Sequence, residues 1–363
     1  MSGVTNYHPD RAYPGYTLFC QTGAEPPRPE APGHAIYLVD MEGEIVHQWT
    51  VRTSVQSYCQ LLPDGNLIYP THDRSEVAAG TCGLREIDPR SRVVWTYRCR
   101  ADHDFEVLGN GNLLIHCITE NMRPALGPEL KRQPYLIEVT REKELVWEWR
   151  GEEHLEELED LLSPEQWRHV LDRAHGEFAF DWAHNNTCQV IGPNAAWEKE
   201  KAQGGPERFR PGNVFISYRS NDVIAVIDRD TGKIVWAWGP GELDGQHKPH
   251  MLANGNVLVF DNGALRGRSR VIELNPFTKR IEWEYAGEPK EEFFSNCISG
   301  AQRLPNGNTL ICDGCKSRLF EVTPEKDIVW EFVNPYQVRC GWISVYRCLR
   351  HSPDYVAPLL GRL

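Results

Sequence analysis

MLANGNVLVFDNG (251–263), followed by RVIELNPFTKRIEW (270–283), decides the fold. An N-G-N turn opens a short apolar strand. A second strand runs into a polar turn, and a third ends in Trp. Asn and Gly suit such turns because both tolerate positive φ. The alternation in I-E-W-E-Y is that of a strand with one buried face.

The same order of parts recurs along the chain. AIYLVDMEGEIVHQW ends at Trp49, and LLPDGNLIY with GLREIDPRSRVVW ends at Trp95. VLGNGNLLIHC with YLIEVTREKELVW ends at Trp147, and PGNVFISYRSNDVIAVIDRDTGKIVW ends at Trp236. The quoted stretch ends at Trp283, and RLPNGNTLICDG with RLFEVTPEKDIVW ends at Trp330. The Trp separations are 46, 52, 89, 47 and 47 residues. A period near 47 with about four short strands per unit is the signature of a propeller blade. The expectation is an all-β, six-bladed β-propeller forming one domain over 1–363.

The 89-residue interval holds extra sequence. In GEEHLEELEDLLSPEQWRHVLDRAHG (151–176), Leu155, Leu158, Leu161 and Leu162 lie at helical spacing, and Ser163-Pro164 starts a second turn of helix. This predicts a helical insertion between blades three and four, with His154, His169 and His175 solvated on it. AWEKEKAQGGPERFRPG (196–212) reads as a polar loop within blade four. Blade one lacks an innermost strand of its own. The segment 340–363 is therefore expected to close it, which removes exposed sheet edges.

Composition narrows the function. A net charge of -12 argues against nucleic acid, which needs a basic surface. No apolar run reaches about 18 residues, so no membrane span is expected. The first residues, MSGVTNYHPDRAYPGYTLF, hold no apolar core like that of a signal peptide. Eleven scattered cysteines, an odd number, suggest reduced thiols and a cytoplasmic location. Cys312 and Cys315 form the one C-x-x-C, which reads as a strand-end turn rather than a metal or redox motif. Oligomeric state is not legible.

Polar residues gather where innermost strands begin or end. His103 and Asp104 precede one N-G-N turn, and His247 and His250 precede another. His184, Asn185 and Asn186 follow FDWA. His72, His116 and Arg219 lie just after turn-and-strand units. Such residues are expected around a shared central pocket. An Arg beside neutral imidazoles suits an anionic substrate and a nucleophile or acid–base pair. Two other readings stay open at this point. His72, His103, His184, His247 and His250 can be drawn as ligands of iron, copper or zinc. Many propellers, too, are non-catalytic binding scaffolds.

FDWAHNN (180–186), FISYRSND (215–222) and GQHKPHMLANGNVLVFDNGALRG (245–267) resemble the arylsulfate sulfotransferase family. The resemblance spans roughly 14–360 and is strongest over 180–268. It implies a six-bladed propeller that moves a sulfuryl group from a phenolic sulfate ester to an acceptor, without the nucleotide donor PAPS and without a cofactor. It implies that His247 becomes transiently sulfated. His184, Asn186 and Arg219 would hold the sulfuryl group, with His103 as a further pocket histidine. His250, Arg266 and Trp182 stand as candidate substrate contacts, for a small aromatic or anionic molecule. His72 and His116 have no counterpart in that set.

Overall fold

Each N-G-N or D-G-N turn folds alike. Gly65, Gly111, Gly255 and Gly307 have φ of 84°, 85°, 87° and 91°, a region that only glycine enters without strain. Leu62, Leu108, Leu252 and Leu304 each donate their N–H to the carbonyl of the following Asn, closing the hairpin. That Asn does not take the positive φ. Its side chain is used instead. Asn66, Asn112, Asn256 and Asn308 donate from Nδ2 to Glu86, Glu138, Glu273 and Glu321 at 2.7, 2.5, 2.7 and 2.7 Å. All four Glu residues are buried on the third strand of their sheet. The motif thus ties the first hairpin of a blade to its third strand.

The computed structural model describes residues 3–22, 34–71, 82–176, 179–336 and 344–362. It falls into two units, Asp102–Asn296 and Met1–Ala101 with Cys297–Leu363. Each unit carries three antiparallel sheets, and the six together are the blade set of a six-bladed β-propeller.

In the unit Asp102–Asn296, the third sheet is Ala101–Val107, Leu113–Met122, Leu130–Val139 and Leu145–Arg150. The fourth is Asn185–Val190, Val214–Tyr218, Val223–Ile227 and Ile234–Trp238. The fifth is His247–Met251, Val257–Asp261, Arg270–Asn275 and Arg280–Tyr285. Helices α1 (Leu155–Leu161) and α2 (Pro164–His175) come between the third and fourth sheets in the chain. Ser163 and Gln166 form a reciprocal cap at the start of α2.

In the other unit, the first sheet joins Ser344–His351 to Tyr16–Thr22, His34–Val39 and Ile45–Val51. Its first strand therefore comes from the C-terminal end of the chain. The second sheet is Gln60–Leu61, Leu67–Thr71, Gly83–Ile87 and Val93–Arg98. The sixth is Gly300–Arg303, Thr309–Asp313, Arg318–Val322 and Ile328–Val333, with Gly3–Tyr7 added as a fifth strand.

Two expectations need correction. The stretch read as a polar loop begins with helix α3 (Ala195–Ala202). Asn194 caps it by accepting from Trp197 N at 2.8 Å, and its Ala, Glu and Lys residues are strong helix formers. His169 and His154 are not merely solvated either. His169 Nε2 lies 2.9 Å from Asp222 Oδ2, and His154 stacks on Trp149 with ring centroids 4.9 Å apart. His175 is exposed, as expected.

Three of the recurring Trp residues have a specific task. Trp147 and Trp236 donate their indole N–H to Arg229 O (3.3 Å) and Pro276 O (3.1 Å), in the fourth and fifth sheets. Trp330 donates to Met41 O (2.9 Å) in the first. Each staples its blade to a turn of a neighbouring one. Trp236 is buried, so Trp236→Phe should lose this bond and strand a carbonyl, costing about 1–3 kcal/mol. Urea unfolding should show the midpoint falling accordingly; an unchanged midpoint would remove the staple from the account.

Candidate active site

Three histidines mark the openings of three successive sheets in the unit Asp102–Asn296. His103 lies on Ala101–Val107, His184 directly precedes Asn185–Val190, and His247 begins His247–Met251. The pairing register slips between Asn185 and Cys188, and again between His247 and His250. His103, His184 and Lys248 have φ of 60°, 43° and 48°, uncommon for residues other than glycine. Such irregularities re-aim side chains and recur beside active sites. Arg219 enters from the 3-10 turn Arg219–Asn221, between two strands of the fourth sheet.

His103 and His184 stand edge to face, ring centroids 4.5 Å apart. Each of the three rings has its Nδ1 held by an acceptor. His103 Nδ1 is 2.8 Å from Asp102 Oδ2, and His184 Nδ1 is 2.7 Å from Asp181 Oδ2. Asp181 is held in turn by Arg132 at 3.2 Å. His247 Nδ1 is 2.7 Å from Asn262 Oδ1. Asn262 Nδ2 donates to Ser295 O at 2.8 Å, which turns its carbonyl toward the imidazole. Nδ1 of His247 therefore carries the proton, and Nε2 keeps the lone pair. Arg219 Nη2 donates to Asn296 O at 3.3 Å. Asn186 is buried and donates to Gln246 O at 2.9 Å, beside His247 in sequence.

The rings differ in charge. Burial opposes protonation of His103, but the Asp102 carboxylate outweighs it and its pKa lies above the ordinary value. Asp102 is held well below the carboxylate range; burial opposes this, and His103 prevails. His247 is pushed well below an ordinary histidine by burial, then by the Arg219 cation. His184 is lowered by burial and by His103. Protonation is thus favoured at His103 and disfavoured at His184 and His247, the last facing the Arg219 guanidinium.

The remaining candidates have other surroundings. His116 is buried behind Asp102, with Nδ1 2.6 Å from the Asp102 carbonyl and a pKa pushed down to about 4 by burial. His250 Nδ1 meets Lys248 O at 3.2 Å. Trp182 has no exposed surface in this structure. It donates to Gln133 at 2.9 Å and packs on Tyr218 in the hydrophobic core. Arg266 pairs with Asp261 at 2.9 Å and lines a separate small cavity with Arg268, Arg270 and Lys290. His72 lies outside the described residues. Among the described residues, one set has metal-ligand spacing: Asp102, His103 and His116, with ligand atoms within 4.8 Å of one another. Of the five histidines proposed as ligands, it contains His103.

Sequence reasoning did not single out Asp102, Asp181, Asn262 or Asp222. The last accepts from Gly245 N at 2.7 Å and from α2 through His169 (2.9 Å) and Arg173 (3.1 Å). It fixes the segment entering His247. Asp102 adjoins His103, and the other three stood inside the quoted motifs, so a signal was present.

A family profile described as Arylsulfotransferase (ASST) matches residues 58–335. The chain belongs to the arylsulfotransferase (ASST) family. The match spans all three histidines, Arg219 and their Nδ1 partners. No curated protein matches the chain in a sequence comparison. Among solved structures, a Bacteroides caccae protein of unknown function is similar, with TM-score 0.55 and 15% identity over 93% of this chain and 99% of that one. A periplasmic gluconolactonase from Pseudomonas aeruginosa gives TM-score 0.46 and 12% identity over 93% and 99%. A virginiamycin B lyase from Staphylococcus aureus gives 0.47 and 10% over 92% and 88%. At these identities the likeness concerns fold alone.

Proposed function

We propose that this arylsulfotransferase-family chain moves a sulfuryl group from a phenolic sulfate ester to a second hydroxyl acceptor through a sulfated His247. The carrying observation is His247 with Nδ1 held by Asn262, an environment of burial and the Arg219 guanidinium that favours its neutral form, and a His103 whose protonation the Asp102 carboxylate favours. In the first half, His247 Nε2 forms an N–S bond as the S–O(aryl) bond breaks. The electron pair leaves with the phenolate, and His103 supplies its proton. Arg219 pairs with the sulfuryl oxygens, while Asn262 accepts the hydrogen bond of the now cationic ring. In the second half, the acceptor oxygen attacks sulfur and the N–S bond breaks. The acceptor's proton returns to His103, so both rings end as they began.

Mixing 4-nitrophenyl sulfate with a phenol should release nitrophenol with ping-pong kinetics. Release following a single-displacement rate law, or none across a panel of aryl sulfates, overturns the reading.

The two rings also set the pH dependence. His247 must be neutral and its pKa lies below 6.5, so acid removes the nucleophile. His103 must be charged and its pKa lies above 6.5, so alkali removes the acid. A bell is expected with one limb on each side of the ordinary histidine value. Asp102→Asn deletes the carboxylate that raises His103, so the alkaline limb should move to lower pH while the acid limb stays. An unmoved alkaline limb in that variant would show His103 is not the acid.

One observation favours a second reading. Asp102, His103 and His116 have ligand spacing, and His116 directs Nδ1 to a backbone carbonyl in the manner of a metal-bound imidazole. Iron, copper or zinc are the ions such a set takes. Metal analysis of untagged protein, with His116→Ala as control, decides between the two.

A further inference from the structure

We propose that Cys297 and Cys315 form a redox-active dithiol that closes to a disulfide under mild oxidation. Their Sγ atoms are 3.7 Å apart. A disulfide spans about 2.05 Å, so closure needs a relative shift of about 1.7 Å. The C-x-x-C of the sequence is not the pair. Cys312 is buried against Cys348 and donates to Val345 O at 3.3 Å, whereas Cys315 faces Cys297, eighteen residues upstream.

The structure builds this approach. Ser299 Oγ accepts from Gly314 N at 3.0 Å, and Cys315 Sγ meets Cys297 O at 3.5 Å, so two contacts hold the loops together. Gly314 seats against the chain at Val345, where a Cβ would come within 2.4 Å of the carbonyl oxygen. The loop after Cys297 is strained. Ile298 and Ser299 have φ of 55° and 83°, and a β-branched residue in that region is an outlier. Strain of this kind persists where surrounding contacts enforce it, and it gathers at functional segments.

Access separates this pair from the others. Cys315 is exposed and Cys297 half-buried. Cys20 with Cys59, and Cys312 with Cys348, are also neighbours, but all four are buried and the Cys59 and Cys312 thiols are pushed up by burial. Among the described cysteines Cys315 is the exposed one, so of these an oxidant in solution meets it first. With a peroxide, the Cys315 sulfur attacks the O–O bond, giving a sulfenic acid and one water. Cys297 sulfur then attacks that sulfur and expels a second water. Two thiols lose two protons and two electrons, and the peroxide is reduced to two waters. A dithiol reductant reverses the change.

The test uses the full chain and does not depend on sulfuryl transfer. Protein is titrated with hydrogen peroxide, remaining thiols are alkylated, and non-reduced digests are read by mass spectrometry. At the lowest peroxide that reacts, two alkylatable thiols per chain should disappear, as one linked peptide pair containing Cys297 and Cys315. Dithiothreitol should restore both. Cys315→Ser, at an exposed position, should abolish that first loss. Cross-linking of another pair first, or stepwise over-oxidation of Cys315 without a link to Cys297, overturns the proposal.

Discussion

His247→Ala should lower arylsulfate turnover by at least about 10³-fold, the scale at which loss of a covalent nucleophile is felt. The reason is local. His247 is the one of the three rings whose Nδ1 is held by a neutral amide rather than a carboxylate. Its neutral form is favoured, with a defined tautomer. Its side chain is buried, so alanine leaves a cavity as well as removing the nucleophile. A second variant separates the two effects. His247→Gln nearly fills the space, keeps a hydrogen-bonding group and lacks a nucleophilic nitrogen. Both variants should lose turnover, and only alanine should lose appreciable stability. Turnover within tenfold of the parent in His247→Gln, measured by nitrophenol release, would remove His247 from the covalent role.

The second large effect is expected at Arg219. Its guanidinium sits on a partly exposed turn held by Asn296, and it depresses the pKa of His247. As sulfur passes from phenolate to imidazole, charge stays on the sulfuryl oxygens, and a planar bidentate donor fits them. Arg219→Lys keeps the positive charge and loses the fork. A fall in kcat of about 10²–10³-fold is expected, with a smaller change in KM. Arg219→Ala should fall further and let the acid limb of the pH profile rise, because His247, lowered first by burial, loses the cation that lowers it further. A variant with reduced substrate affinity and unchanged kcat would make Arg219 a binding residue only.

The fold was legible because a physical necessity recurs. Hairpin turns that glycine can enter recur in four blades, and three of the recurring Trp residues donate to a neighbouring blade, so Gly and Trp return at near-constant spacing. The meaning of the Asn after each Gly was not legible. Its partner, such as Glu273 for Asn256, lies one strand further on, and only the folded sheet brings them together. Helix α3 was missed because charged and glycine-rich neighbours masked a short Ala-Glu-Lys run behind an Asn cap. Of the candidate site, the histidine positions and Arg219 followed from their places before and after the turns. The charge state of each ring did not. It depends on Asp102, Asp181 and Asn262, which resemble ordinary strand-end polar residues until paired. Trp182 illustrates the converse: adjacency to His184 in sequence suggested the site, but an aromatic at that step of the chain turns into the core.

The central claim is that His247 Nε2 carries the sulfuryl group between donor and acceptor. The direct measurement is quenched-flow mass spectrometry of the protein mixed with an aryl sulfate and no acceptor. One sulfuryl group per chain, located on His247 and discharged when phenol is added, is the predicted result. Donor turnover with no sulfuryl on the protein, or with the group on another residue, would contradict it.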